Sequence, residues 1–243
     1  MKTLWNPFRE ALGLKESPLG VYYTNEKPEG FTPKPGIHTC MIGFLQNARK
    51  KGETVYFDKN HFGCPGGAYY MGFLESPRPN IEYFLSCGIP GEMEGERYIK
   101  TPELARQYFA RMKPRPAPAD YCVFKPIGKF QEGEKPEVVV FFAPPDVLSG
   151  LFTLTNYCLK RTDAIDAPFS SGCGAILARP LKEIEMANPR AILGMFDVSA
   201  RPMVEKDVLT LAMPYSVFLK LLGDVSGSFL ETESWGKIRQ RIG

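Results

Sequence analysis

Apolar residues recur along the chain with two spacings, and the spacings predict its elements. Residues 138–143, Val-Val-Val-Phe-Phe-Ala, form an unbroken apolar run too short for an ordinary helix, which predicts a strand buried on both faces. Shorter runs at residues 18–24, 54–57, 121–124, 191–196 and 208–211 predict further strands, bounded by turn-forming or charged residues. Helical spacing is carried by Met41, Phe44, Leu45 and Ala48, with Thr39 as the expected cap and Gly52 as the stop. A longer helix is expected over residues 147–160, with Leu148, Leu151, Phe152, Thr155 and Leu159 on one face. Asn6-Pro7 predicts the start of a short helix that Gly13 ends, and Asn80 the start of another that ends by Gly88. Thr101-Pro102-Glu103 opens a third, because a threonine cap followed by proline suits the first helical turn. Pro214 opens a helix through Phe218, Leu221 and Leu222, and a last amphipathic helix carries Trp235 and Ile238.

The prolines at 114, 116 and 118 end the third helix and supply an extended connection. They divide the chain into a first half, residues 1–112, the connection 113–119, and a second half, residues 120–243. A shift of 109 positions superposes Leu45 on Leu154, Asn47 on Asn156, Lys51 on Lys160, Gly63 on Gly172 and Cys64 on Cys173. Each half also reads as a Pro-Leu/Ile-Gly strand, a long helix with an asparagine inside it, and a Gly-Cys turn. The expected architecture is α/β, or α+β, of two similar halves related by a weak internal duplication. Each half is a small mixed sheet covered by helices on one face, the two sheets being either separate or continuous, and the halves together form one compact unit.

Composition narrows the chemistry. The net charge of +3 is too small to require a nucleic acid or an anionic membrane as partner. No apolar stretch approaches the roughly 18 residues of a membrane span, and the first ten residues lack a signal-peptide core, so a cytoplasmic location is expected. There, six cysteines imply thiols rather than disulfides. Two histidines exclude a three-histidine zinc centre. Cys87, Cys122 and Cys158 lie among large apolar residues and are expected in the core; Trp5 and Trp235 are expected to pack inside, or else to anchor a protein partner.

Cys64 and Cys173 stand among glycines, as Gly63-Cys64-Pro65-Gly66-Gly67 and Gly172-Cys173-Gly174. A cysteine at the entrance of a helix meets unpaired N–H groups that favour its thiolate, raising nucleophilicity and metal affinity. These two are the candidate catalytic residues. Both histidines lie near cysteines, as His38-Thr39-Cys40 and His61-Phe62-Gly63-Cys64. Cys40, Cys64, His38 and His61 are thus candidate zinc ligands, and Cys40, Cys64 and Cys173 candidate ligands of an iron-sulfur cluster. Asn47, Asn156 and Arg201 would line a shared cleft with Gly66, Gly67, Gly172 and Gly174.

The chain resembles the uncharacterised prokaryotic family known as domain of unknown function 169. The resemblance rests on Cys40 with Ala48 and Gly52, and on Cys64-Pro65-Gly66-Gly67-Ala68 leading to Met71-Gly72-Phe73. Further on it is carried by the strand-helix unit of residues 138–157, by Cys173, by Leu193-Gly194-Met195-Phe196-Asp197 with Ala200-Arg201, and by Met213-Pro214. It implies that paired cysteines and the Asp197 to Arg201 segment are hallmarks, and it implies no particular activity. Val198-Ser199-Ala200-Arg201 stands where relatives carry Cys-Gly before the arginine, which argues against a cluster held by four protein thiolates. Two functions compete. In the first, a redox or metal-cofactor protein sets Cys64 and Cys173 face to face between the halves. In the second, a non-catalytic protein binds a small anionic molecule through glycine N–H donors, with Tyr22, Tyr69 and Tyr70 as walls. The sequence leaves a homo-oligomer open.

Overall fold

The computed structural model describes residues 2–243. In chain order the elements are α1 (Lys2–Leu12), β1 (Leu19–Thr24), α2 (Met41–Phe44), α3 (Gln46–Lys51), β2 (Val55–Phe57), α4 (Pro65–Tyr70), α5 (Ile81–Phe84) and α6 (Pro102–Arg111). They continue with β3 (Tyr121–Pro126), β4 (Val138–Ala143), α7 (Pro145–Asn156), β5 (Ile165–Asp166), a π-helix (Gly174–Ala178) and α8 (Arg179–Glu183). The last are β6 (Ala191–Gly194), β7 (Leu209–Pro214), α9 (Tyr215–Gly223) and α10 (Glu233–Ile242).

All seven strands join one mixed sheet in the order β2-β3-β1-β4-β7-β6-β5. Every neighbouring pair is antiparallel except β5 with β6. The proline-rich connection does not separate two sheets, because β3, which follows it, lies between β1 and β2, which precede it. The two Pro-Leu/Ile-Gly motifs also differ in place: Leu19 opens β1, whereas Pro126 closes β3, and the two residues face one another across an antiparallel ladder.

Helices cover both faces of the sheet rather than one. The side chains of β4 alternate between two cores: Val138, Val140 and Phe142 enter one, Val139, Phe141 and Ala143 the other. This is the structural meaning of the unbroken apolar run. One face packs against α1, α7, α9 and α10, with Phe8, Leu151, Phe218 and Trp235 at its centre. The other packs against α2, α3, α4, the π-helix and α8, with Met41, Leu45, Tyr70, Cys173 and Ile176. Trp5 and Trp235, 6% and 3% exposed, belong to the core, so neither is an external anchor.

Several elements depart from their expected form. The helix expected from Met41 to Lys51 is broken at Leu45 into α2 and α3, and Cys40, not Thr39, stands at the N-cap of α2. Thr39 is held elsewhere, its N–H donating to the Gly63 carbonyl at 3.1 Å. α1 begins before Asn6 and contains Pro7. α7 ends at Asn156, which leaves Leu159 exposed, and Phe152 points to solvent at 51% exposure. Asn80 precedes α5 in the left-handed region without a side-chain cap. Cys122 is buried as expected, but Cys87 and Cys158 are exposed. Thr101, by contrast, caps α6 through a 3.3 Å bond from the Leu104 N–H. No helix among the described residues is long and apolar enough to cross a membrane.

Candidate functional site

Cys64 and Cys173 meet on the second face, packed in one core, where each side chain shifts the acidity of the other. They reach this contact from unlike backbones. Cys64 is the extended N-cap of α4, with φ −135° and ψ 147°, and its sulfur accepts the Gly67 N–H at 3.3 Å. Pro65 occupies the first helical position, where its lack of an N–H costs nothing. Cys173 has helical angles, φ −63° and ψ −42°, in the turn that leads straight into the π-helix. The two Gly-Cys segments are therefore not equivalent turns.

The glycines allow close approach. A Cβ on Gly67 would stand 3.1 Å from the Met41 Cβ and 3.2 Å from the Cys64 sulfur. One on Gly172 would lie 3.0 Å from the Ala200 Cβ and 3.4 Å from the Met195 sulfur. Their N–H groups are already engaged, that of Gly67 by Cys64, that of Gly172 by Asp197 Oδ2 at 2.9 Å and that of Gly174 by Ser171 Oγ at 3.1 Å. These three donors are thus spent inside the protein rather than facing an anion. Gly66 has open space around its Cα.

Asp197 fastens the Cys173 turn. Besides holding Gly172, its Oδ1 accepts the Ser199 N–H at 3.0 Å and the Ser199 hydroxyl at 2.7 Å. The strand that delivers it, β6, is followed directly by Met195, a buried residue with φ +70°. Left-handed backbone costs a non-glycine residue about 1–2 kcal/mol. Strain of this kind gathers at functional sites, as π-turns do. Pro180 gives a local reason for the π-turn, since it offers no N–H to the carbonyl of Ile176 and the α-helical ladder cannot continue through it. Tyr70 lies beside Cys173; burial first, and Tyr108 second, push its phenol up, against the opposite effect of Ser171.

Electrostatics divide the thiols. The hydrogen bond from Cys173 draws Cys64 down to about 6, against the effect of burial, with help from the Met41 and Gly67 N–H groups and from His38. The same bond, with burial and the charges of Cys64, Cys40 and Asp197, raises Cys173 well above an ordinary thiol. Cys40 is raised chiefly by burial, although the Ile42 and Gly43 N–H groups favour its thiolate. The pairing therefore favours the thiolate at Cys64 and the protonated thiol at Cys173.

The remaining candidates are scattered. Asn47 and Asn156 lie on helices at opposite faces of the sheet, and each amide bonds back to its own helix, to Phe44 O at 3.1 Å and to Phe152 O at 2.9 Å. They line no common cleft. Arg201 donates to the carbonyls of Glu205, Lys206 and Val208, so its guanidinium binds a loop. His61 pairs with Asp58, its Nδ1 lying 2.9 Å from Oδ1. His38 is close enough to act on Cys64. Among the described residues no group of three or more His, Cys, Asp and Glu side chains is arranged to hold a metal ion. Tyr69 and Tyr70 are buried near the cysteines, while Tyr22 packs on the other face. Asp197, Met41 and Met195 are the contributors the cysteine patterns did not single out. The resemblance does mark Asp197, within its Asp197 to Arg201 segment, and so does the Asp-Val-Ser sequence, because aspartate two residues before a serine commonly accepts its N–H in a turn.

No curated protein and no solved structure matches the chain. A family model does, that of domain of unknown function 169, described as uncharacterised ArCR; it covers residues 7–224, and the chain belongs to that family.

Proposed function

We propose that the protein acts through a reactive dithiol, Cys64 with Cys173, that exchanges with disulfides of other molecules. The observation that supports this reading is the pairing of the two thiols in one core, where their interaction favours one as thiolate and the other as thiol. The Cys64 thiolate attacks one sulfur of a substrate disulfide; a bond forms between Cys64 and that sulfur, and the other substrate sulfur leaves with the electron pair. Cys173 then gives up its proton and attacks the Cys64 sulfur. The second substrate thiolate leaves, and the protein ends with a Cys64–Cys173 disulfide, having passed two electrons and the one proton of Cys173 to the substrate, whose other sulfur takes its proton from water. A cellular dithiol returns it to the starting state. All six cysteines are free, as suits a protein working in a reducing compartment.

The test is alkylation of Cys64 as a function of pH, read by peptide mass spectrometry, combined with oxidation by diamide. The deprotonated form reacts, so the rate is expected to rise through about 6 and level off above neutrality. Diamide is expected to yield the Cys64–Cys173 link. A midpoint near the ordinary thiol value of about 8.5, with no link formed, would overturn the reading.

A further inference from the structure

Cys64 has a second thiol beside it. The residues on either side of Cys40 both lie against the Cys64 turn: the Thr39 N–H donates to the Gly63 carbonyl at 3.1 Å, and Met41, whose N–H favours the Cys64 thiolate, packs with Cys64 around Gly67. Cys40 is held between these two contacts, and its charge acts on both Cys64 and Cys173. The two neighbours differ in access. Cys173 is 9% exposed and lies in the core, whereas Cys40 is half-buried and follows the exposed Ile37. The other half of the segment's anchoring comes from α2, whose Phe44 N–H bonds to the Cys40 carbonyl at 2.9 Å. The side chain of Cys40 makes no capping bond to α2.

We propose that Cys40 is a second resolving cysteine, so that a mixed disulfide on Cys64 closes either inward to Cys173 or outward to Cys40. This rests on the dithiol reading above. In the outward step Cys40 loses its proton and its sulfur attacks the Cys64 sulfur of the mixed disulfide. The Cys40–Cys64 bond forms as the bond to the substrate sulfur breaks, and the departing thiolate takes the electron pair and a proton. No further oxidant or reductant enters. The inward product stores the disulfide in the core; the outward product presents it nearer the surface, where a reducing dithiol reaches it sooner.

The experiment uses the full chain with the exposed Cys87 and Cys158 replaced by serine, treated with oxidised glutathione and mapped by peptide mass spectrometry. In Cys173→Ser the Cys40–Cys64 link is expected to replace the glutathione adduct on Cys64. In the Cys40→Ser/Cys173→Ser double variant that adduct is expected to persist. Cys40→Ser alone is expected to yield only the inward link, reduced severalfold more slowly by dithiothreitol than the parent's mixture. A stable glutathione adduct on Cys64 in Cys173→Ser overturns the role of Cys40, as does a reduction rate indifferent to Cys40. Failure of the parent itself to form any bond at Cys64 strikes the dithiol reading instead, so the two failures are told apart.

Discussion

The two faces of the sheet are built from the same strands and differ in almost everything else. The face under α1, α7, α9 and α10 is packed with interlocking rings. Phe218 meets Trp5, Phe8 and Phe141 at centroid distances of 6.4, 5.8 and 6.0 Å, and Trp235 stands edge-on to Phe229 at 5.4 Å. Its helices run nine residues or more. The opposite face uses, beside the ten-residue α6, helices of four to six residues, a π-turn, and a left-handed methionine. Regular helices bury apolar area efficiently, whereas short ones present many ends, and each end offers N–H groups to something other than its own helix. One such N–H, that of Gly67, goes to the Cys64 sulfur. One face therefore supplies stability and the other arranges thiols.

Truncation of Phe218 should test this division most severely. Phe218→Ala is expected to cost about 3–5 kcal/mol in chemical denaturation. The midpoint for Cys64 alkylation should stay near about 6. A shift in that midpoint would show that the two faces are not independent.

Removing Asp197 should do the reverse. Asp197→Ala strands the Gly172 and Ser199 donors and is expected to cost about 1–3 kcal/mol. Its sharper effect is on chemistry: as the Cys173 turn loosens, the hydrogen bond to Cys64 weakens and the alkylation midpoint rises. An unchanged midpoint would mean that Asp197 is not what positions Cys173.

The smallest effect concerns the ionic cluster that ties α3 to the loop after Arg201. Arg49 is buried, with Nε 3.1 Å from Glu16 and Nη2 2.9 Å from Glu205, and its guanidinium lies over the Phe142 ring at 4.3 Å. Burial works against the Glu205 carboxylate, but hydrogen bonds from Lys50 and Arg49 prevail and hold it at about 2. A carboxyl group held below its unfolded value of about 4.3 stabilises the fold at any higher pH. That contribution is lost as pH falls through about 2. Because Glu205 is over a third exposed, Glu205→Gln is expected to cost about 1 kcal/mol or less at neutral pH. The gap to the parent should close between about pH 4 and pH 2, measured by denaturation at several pH values. A constant gap would assign the effect to packing instead of charge.

The strands were the most legible part of the fold, because a stretch such as residues 138–143 must be covered on both sides wherever it lies. The helices of the aromatic face were nearly as plain. The sulfur face was harder to read: apolar spacing from Met41 to Ala48 is continuous, yet the helix breaks at Leu45, and spacing alone carries no record of such a break. Matching Asn47 with Asn156 misled for a related reason, since the same position in two helices says nothing about which face of the sheet each helix covers. Flanking residues misled for Cys87 and Cys158. Leu85 and Leu159 invite burial, but the chain turns at these places and leaves the thiols outside. The glycine context of Cys64 and Cys173 did draw attention to both. It could not reveal that one caps a helix while the other begins a π-turn.

The strand order carries a consequence for how the site comes into being. β1 pairs with β4 directly, and β4 pairs on its other side with β7, which carries Ala212, a residue of the same core as Cys173. During synthesis the ribosome must release most of the chain before that strand is available. A chain cut short of residue 209 would keep both cysteines yet lack a strand of the core that holds them, so the site depends on sequence well beyond either thiol.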